Sequence, residues 1–162
     1  MRTWKISIPV RPKAVQSVRG GAHGFYADHG VKKWKATIRP FIELACPDPP
    51  TKCPLMITRL EYRFKYPERT PKWVREYIAS GGMVPYTGPA DITDNLAKGL
   101  VDTCAGLVFE NDKLIWRTCD IRKLYWPEDG MYIEFAETPD VVLVDGTLGD
   151  GTAARSETLL GI

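Results

Sequence analysis

The chain has 162 residues, 44% hydrophobic and 26% charged, which suits one globular domain with a buried core, with or without a tail. No stretch approaches eighteen uninterrupted apolar residues, which excludes a membrane span. The net charge of +2 conceals an asymmetry: residues 1–80 carry 16 Lys/Arg against 6 Asp/Glu, and residues 81–162 carry 6 against 14. That pattern fits a polyanion-binding surface beside an acidic site or tail, and equally a dipolar surface with no partner.

The opening MRTWKISIPVRPK is basic, but its apolar run is broken and it lacks a small-residue cleavage site. No signal peptide is expected, and the reducing cytoplasm is the default setting. Residues 3–9 alternate polar and apolar and read as a strand that Pro9 and Pro12 end. The segment 11-RPKAVQSVRGGAHGFYADHG-30 reads as a loop. Its Lys13 and Arg19 suit either contact with a phosphate backbone or plain solvation, and His23 and His29 read as surface residues.

From Val31 to Ala45 apolar residues recur at helical spacing, with Lys32, Lys33, Lys35 and Arg39 on the other faces. Pro40 inside this pattern predicts a kink or break, since an interior proline costs a helix about 3 kcal/mol. Residues 46–54 form a turn-rich connector whose Cys46 and Cys53 could pair only in an oxidising compartment. Residues 55–66 predict a strand with Met56, Thr58, Leu60, Tyr62, Phe64 and Tyr66 on one face and Arg59, Glu61, Arg63 and Lys65 on the other. A short amphipathic helix is expected after Pro71.

A second helix is expected from near Asp94 to about Ala105, stopped by Gly106. Next, 114-LIWRTCDIRKLYW-126 and 131-MYIEFAE-137 read as a hairpin about 127-PEDG-130, with Trp116 and Trp126 in a core or interface. Residues 138–162 predict a loosely ordered tail with one optional strand at Val141–Val144, leaving 1–137 as the folded domain. The four cysteines show no C-x-x-C pair and no His at ligand spacing, so zinc is not expected, and Cys104 and Cys119 read as buried thiols. The coarse order, β-α-β-(α)-α-β-β, argues for an α+β domain with a small mixed sheet and packed helices.

The acidic helix carries the chemistry. Asp94, Lys98 and Asp102 are spaced by four and share one face, while Leu96, Leu100 and Cys104 turn toward the sheet. Asp91 lies just before the helix, where its positive dipole end favours carboxylates, and Asp112 follows where the chain can return beside it. Carboxylates converging with a lysine suit a hard cation acting on a phosphodiester. Asp94 as a helix cap paired with Lys98 explains the same periodicity, and spacing alone favours that plainer reading.

The strings 91-DITDNLAKGLVDTCAG-106, 111-ND-112 and 114-LIWRTCDIRK-123, with 9-PVRPKAVQSVR-19, resemble the RusA-like family of Holliday junction resolvases. The family's signature is Asp-x-Asp-Asn-x-x-Lys, a further Asp on that helix, and an acidic pair before a strand ending in Lys. The resemblance implies a Mg²⁺-dependent endodeoxyribonuclease that nicks branched DNA, four-way junctions above all, as a homodimer in the cytoplasm of a bacterium or phage-infected host. It implies metal ligation by Asp91, Asp94 and Asp112 and catalysis by these three with Lys98; on this reading the basic half of the chain holds the DNA arms through Lys13, Arg19, Lys32, Lys33 and Lys35. Asp102 and Asn95 take supporting places. No nucleotide cofactor is implied.

Two departures stand out. Asp91 lies three residues before Asp94 where the family spaces its pair by two, so a bulged or tightened turn is needed, and Asn111 replaces the first member of the acidic pair, with Glu110 at hand to compensate. They keep open a branched-DNA-binding protein of weak or no activity, beside a nuclease for forks and flaps.

Overall fold

Leu55–Lys65 (β4) is the spine of a five-stranded mixed sheet. The structure, a computed structural model, describes residues 1–15, 19–21, 24–26, 29–89 and 92–143, without the side chains of 19–21, 24–26 and 93–95. Thr3–Ile8 (β1) pairs antiparallel with Gly130–Glu137 (β7), and β7 pairs antiparallel with one edge of β4. Along the other edge of β4 run two parallel partners, Ile115–Thr118 (β5) and Ile121–Trp126 (β6). A separate ladder of Arg19–Gly21 (β2) and Gly24–Tyr26 (β3) occupies part of the segment read as loop. With His29–Ala45 (α1), Lys72–Ala79 (α2) and Lys98–Cys104 (α3), the elements make the expected small α+β fold. Among the described residues, no helix is long and apolar enough to cross a membrane.

Strand register explains the core. The rows Trp4–Phe135–Ile57, Ile6–Ile133–Leu60 and Ile8–Met131–Tyr62 cross β1, β7 and β4 and are buried. Trp34, Ile38 and Ile42 of α1 and Leu100 and Cys104 of α3 join the same core, as does Leu96 just before α3. The predicted face of β4 holds only from Leu60 onward: Leu55 and Ile57, not Met56 and Thr58, are the buried residues before it. The register shifts between Ile57 and Arg59, so one extra residue reverses the alternation there.

The hairpin expectation is overturned. β6 and β7 do not pair; β4 lies between them and takes both as partners. The Asp-Gly turn crosses the end of β4, where Asp129 Oδ1 accepts the Lys65 N–H at 2.8 Å, so its carboxylate closes a strand end. α1 runs unbroken through Pro40, with Ile38 and Ile42 fully buried on either side; burial of that face outweighs the lost backbone bond. Cys119 is exposed rather than buried, because it lies between β5 and β6, while Cys46 and Cys104 are buried, and all four thiols are free. Burial, followed by the nearby Asp48 carboxylate, pushes the Cys46 thiol up to about 11. Residues 141–143 form no strand, and 144 onward lie outside the described residues.

The opposite face of the sheet has a polar design. Glu61 is 2% exposed there and accepts from Arg59 and Arg63, with Arg122 at 4.0 Å. Arg63 also lies over the rings of Trp126 and Tyr132. Burial pushes the Glu61 carboxyl up, but the hydrogen bonds from Arg59 and Arg63 outweigh it and hold it below the usual range. At the sheet's end, buried Glu137 accepts from Thr51 Oγ1 at 2.7 Å and from the Arg2 N–H at 2.9 Å. Those bonds likewise overcome burial and lower its pKa.

Candidate functional site

The helix expected from near Asp94 begins instead as a π-helical turn, Ile92–Ala97, and becomes α3 at Lys98. A π-turn holds one residue more per turn than an α-turn. It starts directly after Asp91, where the D-I-T-D spacing is one residue longer than the family's. Gly106, with φ +79°, ends the segment as expected, since only glycine takes that conformation freely. Leu96, Leu100 and Cys104 face the core, which directs Lys98 and Asp102 away from it.

Lys98, Asp102 and Asp112 line one pocket of about 380 Å³. Its floor is apolar: Ile57 and Leu60 from β4, Val101 from α3, and Ile115 and Ile121 from β5 and β6. Asp112 reaches it because a 3₁₀ turn, Asp112–Leu114, folds the chain back into β5. Asn111 caps that turn, its Oδ1 accepting the Lys113 N–H at 3.0 Å. The neutral oxygen that Asn111 sets in place of a carboxylate thus already accepts a hydrogen bond. Glu110, the residue at hand to compensate, forms an exposed ion pair with Lys52 at 3.3 Å.

The described oxygen donors are the Asp102 and Asp112 carboxylates and the Thr118 hydroxyl, and no His or Cys lines the pocket among the described residues. This chemistry fits a hard divalent cation better than a soft one. Asp91 lies outside the described residues and the side chain of Asp94 is not described, so Asp112 is the predicted ligand that the structure locates in full.

The basic residues divide. Lys32 and Lys33 are exposed on α1, and Lys13 is half-buried. Lys35 turns to the site helix and pairs with Asp102 at 3.3 Å, joining a residue expected on DNA to one expected beside Lys98. The side chain of Arg19 is not described, and His23 lies outside the described residues. Lys123, within β6 rather than at a strand end, donates to the Gly88 carbonyl at 3.2 Å and ties the segment before the π-turn to that strand. Trp116 is 42% exposed and donates to Thr138 Oγ1, so it is not a core residue.

Gly99 was not singled out by sequence. An added Cβ there would lie 2.5 Å from Val15 Cγ2 and 3.2 Å from the Trp34 ring. Its missing side chain lets α1 and the Lys13-bearing segment close on α3. Trp34 Nε1 reinforces this by donating to the Arg11 carbonyl at 2.9 Å. A glycine one position from Lys98 on a buried helix face was the available signal.

A pocket with an apolar floor and a rim of lysine and carboxylates thus lies beside a basic helix. The family model for endodeoxyribonuclease RusA matches residues 8–135, most of the chain and all of the pocket. The chain belongs to the RusA family, whose activity is on Holliday junctions. No curated protein matches it.

Proposed function

We propose that the chain is a Mg²⁺-dependent endonuclease that resolves four-way DNA junctions by paired nicks in recombination and repair, acting as a homodimer in the cytoplasm. The observation that supports this best is the convergence of Lys98, Asp102 and Asp112 on the lining of one pocket. A two-fold symmetric junction is matched most simply by a symmetric pair of protomers.

Asp91, Asp94 and Asp112 would hold the cation, which when bound supplies Lewis-acid polarisation of the scissile phosphoryl group. Lys98 sets its ammonium against a phosphate oxygen and offsets the charge that builds up during attack. The floor of Ile57, Leu60, Val101, Ile115 and Ile121 excludes water on one side and strengthens these interactions. Asp102 holds Lys35 beside the site, so a cation of α1 faces the strand that enters the pocket. Lys13, Arg19, Lys32 and Lys33 grip the arms through phosphates, a contact that weakens with salt.

The test compares nicking of a four-way junction, a fork and a linear duplex with Mg²⁺. Asp112→Asn and Lys98→Ala are expected to lower junction nicking by at least about 100-fold, the scale of losing a charge-stabilising group, while junction binding persists. Nicking by Asp112→Asn at the wild-type rate would remove the assigned chemistry. Engagement of Asn111 and Glu110 elsewhere favours a second reading, a branched-DNA-binding protein without catalysis. That reading expects salt-sensitive junction binding and no nicking with any divalent cation.

A further inference from the structure

The helix α2 shows half of its apolar stripe to solvent. Trp73, Val74, Tyr77 and Ile78 share one side at helical spacing. Ile78 is buried and Val74 half-buried, whereas Trp73 is 69% and Tyr77 51% exposed. Ile78 seats the helix apart from the central core, so the aromatic pair contributes little to packing.

The end of the helix that carries Tyr77 is nonetheless fixed. After Ala79 the chain takes a Schellman stop: Gly81 has φ +93°, its N–H donates to the Ile78 carbonyl at 3.0 Å, and the Gly82 N–H donates to the Tyr77 carbonyl at 2.8 Å. The Tyr77 ring lies over Gly82, where an added Cβ would come within 2.5 Å of the ring carbons. Met83 extends the uncovered patch and its sulfur sits 3.1 Å from Arg122 Nη1. From here Val84–Tyr86 runs along β6, with the Tyr86 N–H on the Lys123 carbonyl and the Tyr125 N–H on the Val84 carbonyl, and the chain continues into the π-turn. The aromatic helix is therefore carried on the segment that leads into the candidate site.

Charge selects the occupant. Lys65 and Lys72 of this segment are paired with Glu128 and Glu76, which leaves the exposed Arg69 and Arg75 as its available cations against Glu68. Docking a second copy here would bring like charges together, whereas a nucleic acid supplies phosphates for the cations and π-faces for the rings. We propose that the Trp73–Tyr77 face of α2 is a stacking platform for bases left unstacked at the branch point of the DNA. Continuous duplex offers no free base face to stack on, so the platform discriminates branched from linear DNA. The inference rests on the DNA-binding reading above and adds a recognition element outside the pocket.

The test measures affinity of the full chain for a four-way junction carrying 2-aminopurine at the branch point, for linear duplex and for a single strand. Trp73→Ala and Tyr77→Ala are each expected to weaken junction and single-strand binding roughly 5- to 100-fold. Linear-duplex binding stays unchanged, and the 2-aminopurine signal on binding is reduced. Trp73→Phe keeps a ring and retains most of the affinity, and circular dichroism verifies that every variant is folded. Unchanged junction binding in the double variant overturns the platform alone, as does an equal loss on linear duplex. A dimer that becomes monomeric in the double variant overturns it in favour of a second copy. Wild-type protein that binds single strands through these rings but binds no junction supports the platform and overturns the junction reading.

Discussion

The two faces of the sheet are held by different forces. On the helix-covered face, Ile6, Ile133 and Leu60 stack in register under α1 and α3, and attraction there is non-directional burial. On the opposite face, Arg59, Arg63 and Arg122 surround Glu61, and each group depends on its partners' charge. The candidate pocket belongs to the first face and uses its apolar residues as a floor. The candidate pocket thus rests on the face whose packing is least sensitive to pH and salt.

The largest effect expected is on the buried face. Ile133→Ala removes the centre of the apolar register and should cost about 2–5 kcal/mol in denaturant unfolding. Glu61→Gln attacks the other face: it takes from Arg59 and Arg63 the carboxylate they share, while Arg122 keeps Asp120, and should cost about 1.5–3 kcal/mol.

The two faces should also separate by pH. Folding holds the Glu61 and Glu137 carboxyls below their ordinary value of 4.5, so their stabilisation is complete above that pH. It is lost as pH falls through the lowered values, and Glu61→Gln should flatten that acid limb while Ile133→Ala leaves its shape unchanged.

Gly99→Ala should cost about 1–3 kcal/mol, because its methyl group meets Val15 and Trp34. It should lower nicking beyond that loss, by moving α1 off the site helix. The smallest effect on stability belongs to Lys35→Ala. Its ion pair is about one-third exposed and is worth roughly 0.2–1 kcal/mol. Its mark should appear in the salt dependence of junction binding. An equal acid limb in wild type and Glu61→Gln would break the contrast between the faces.

Much of this was legible in the sequence where one element decides its own form. Alternation in 3–9 gave β1, apolar spacing gave α1, and Gly106 marked the end of the site helix. Failures came where a distant partner decides. Met56 fits the alternation of Leu60, Tyr62 and Phe64, yet the shift between Ile57 and Arg59 places Leu55 and Ile57 inside. Asp-Gly is a strong local turn signal, but it does not reveal that β4 will occupy the space between the strands it joins. Pro40 was weighed by intrinsic propensity, whereas Ile38 and Ile42 were decided by burial.

At the site, spacing found Lys98 and Asp102 on one helix, the return of the chain after it offered Asp112, and the family resemblance gave Asp112 a role. Lys35 as the partner of Asp102 was hidden, because its approach depends on how closely α1 packs at Gly99.

The strand order has a consequence in time. β1 leaves the ribosome first, yet its partner in the sheet is β7, which ends at Glu137. Until then Trp4, Ile6 and Ile8 have no strand to lie against, and the spine β4 lacks both of its long neighbours. Closure of the sheet must wait for nearly all of the domain to be synthesised. Such distant pairings fold slowly and expose apolar strands meanwhile, so a nascent chain halted before residue 130 should be the species most prone to aggregate.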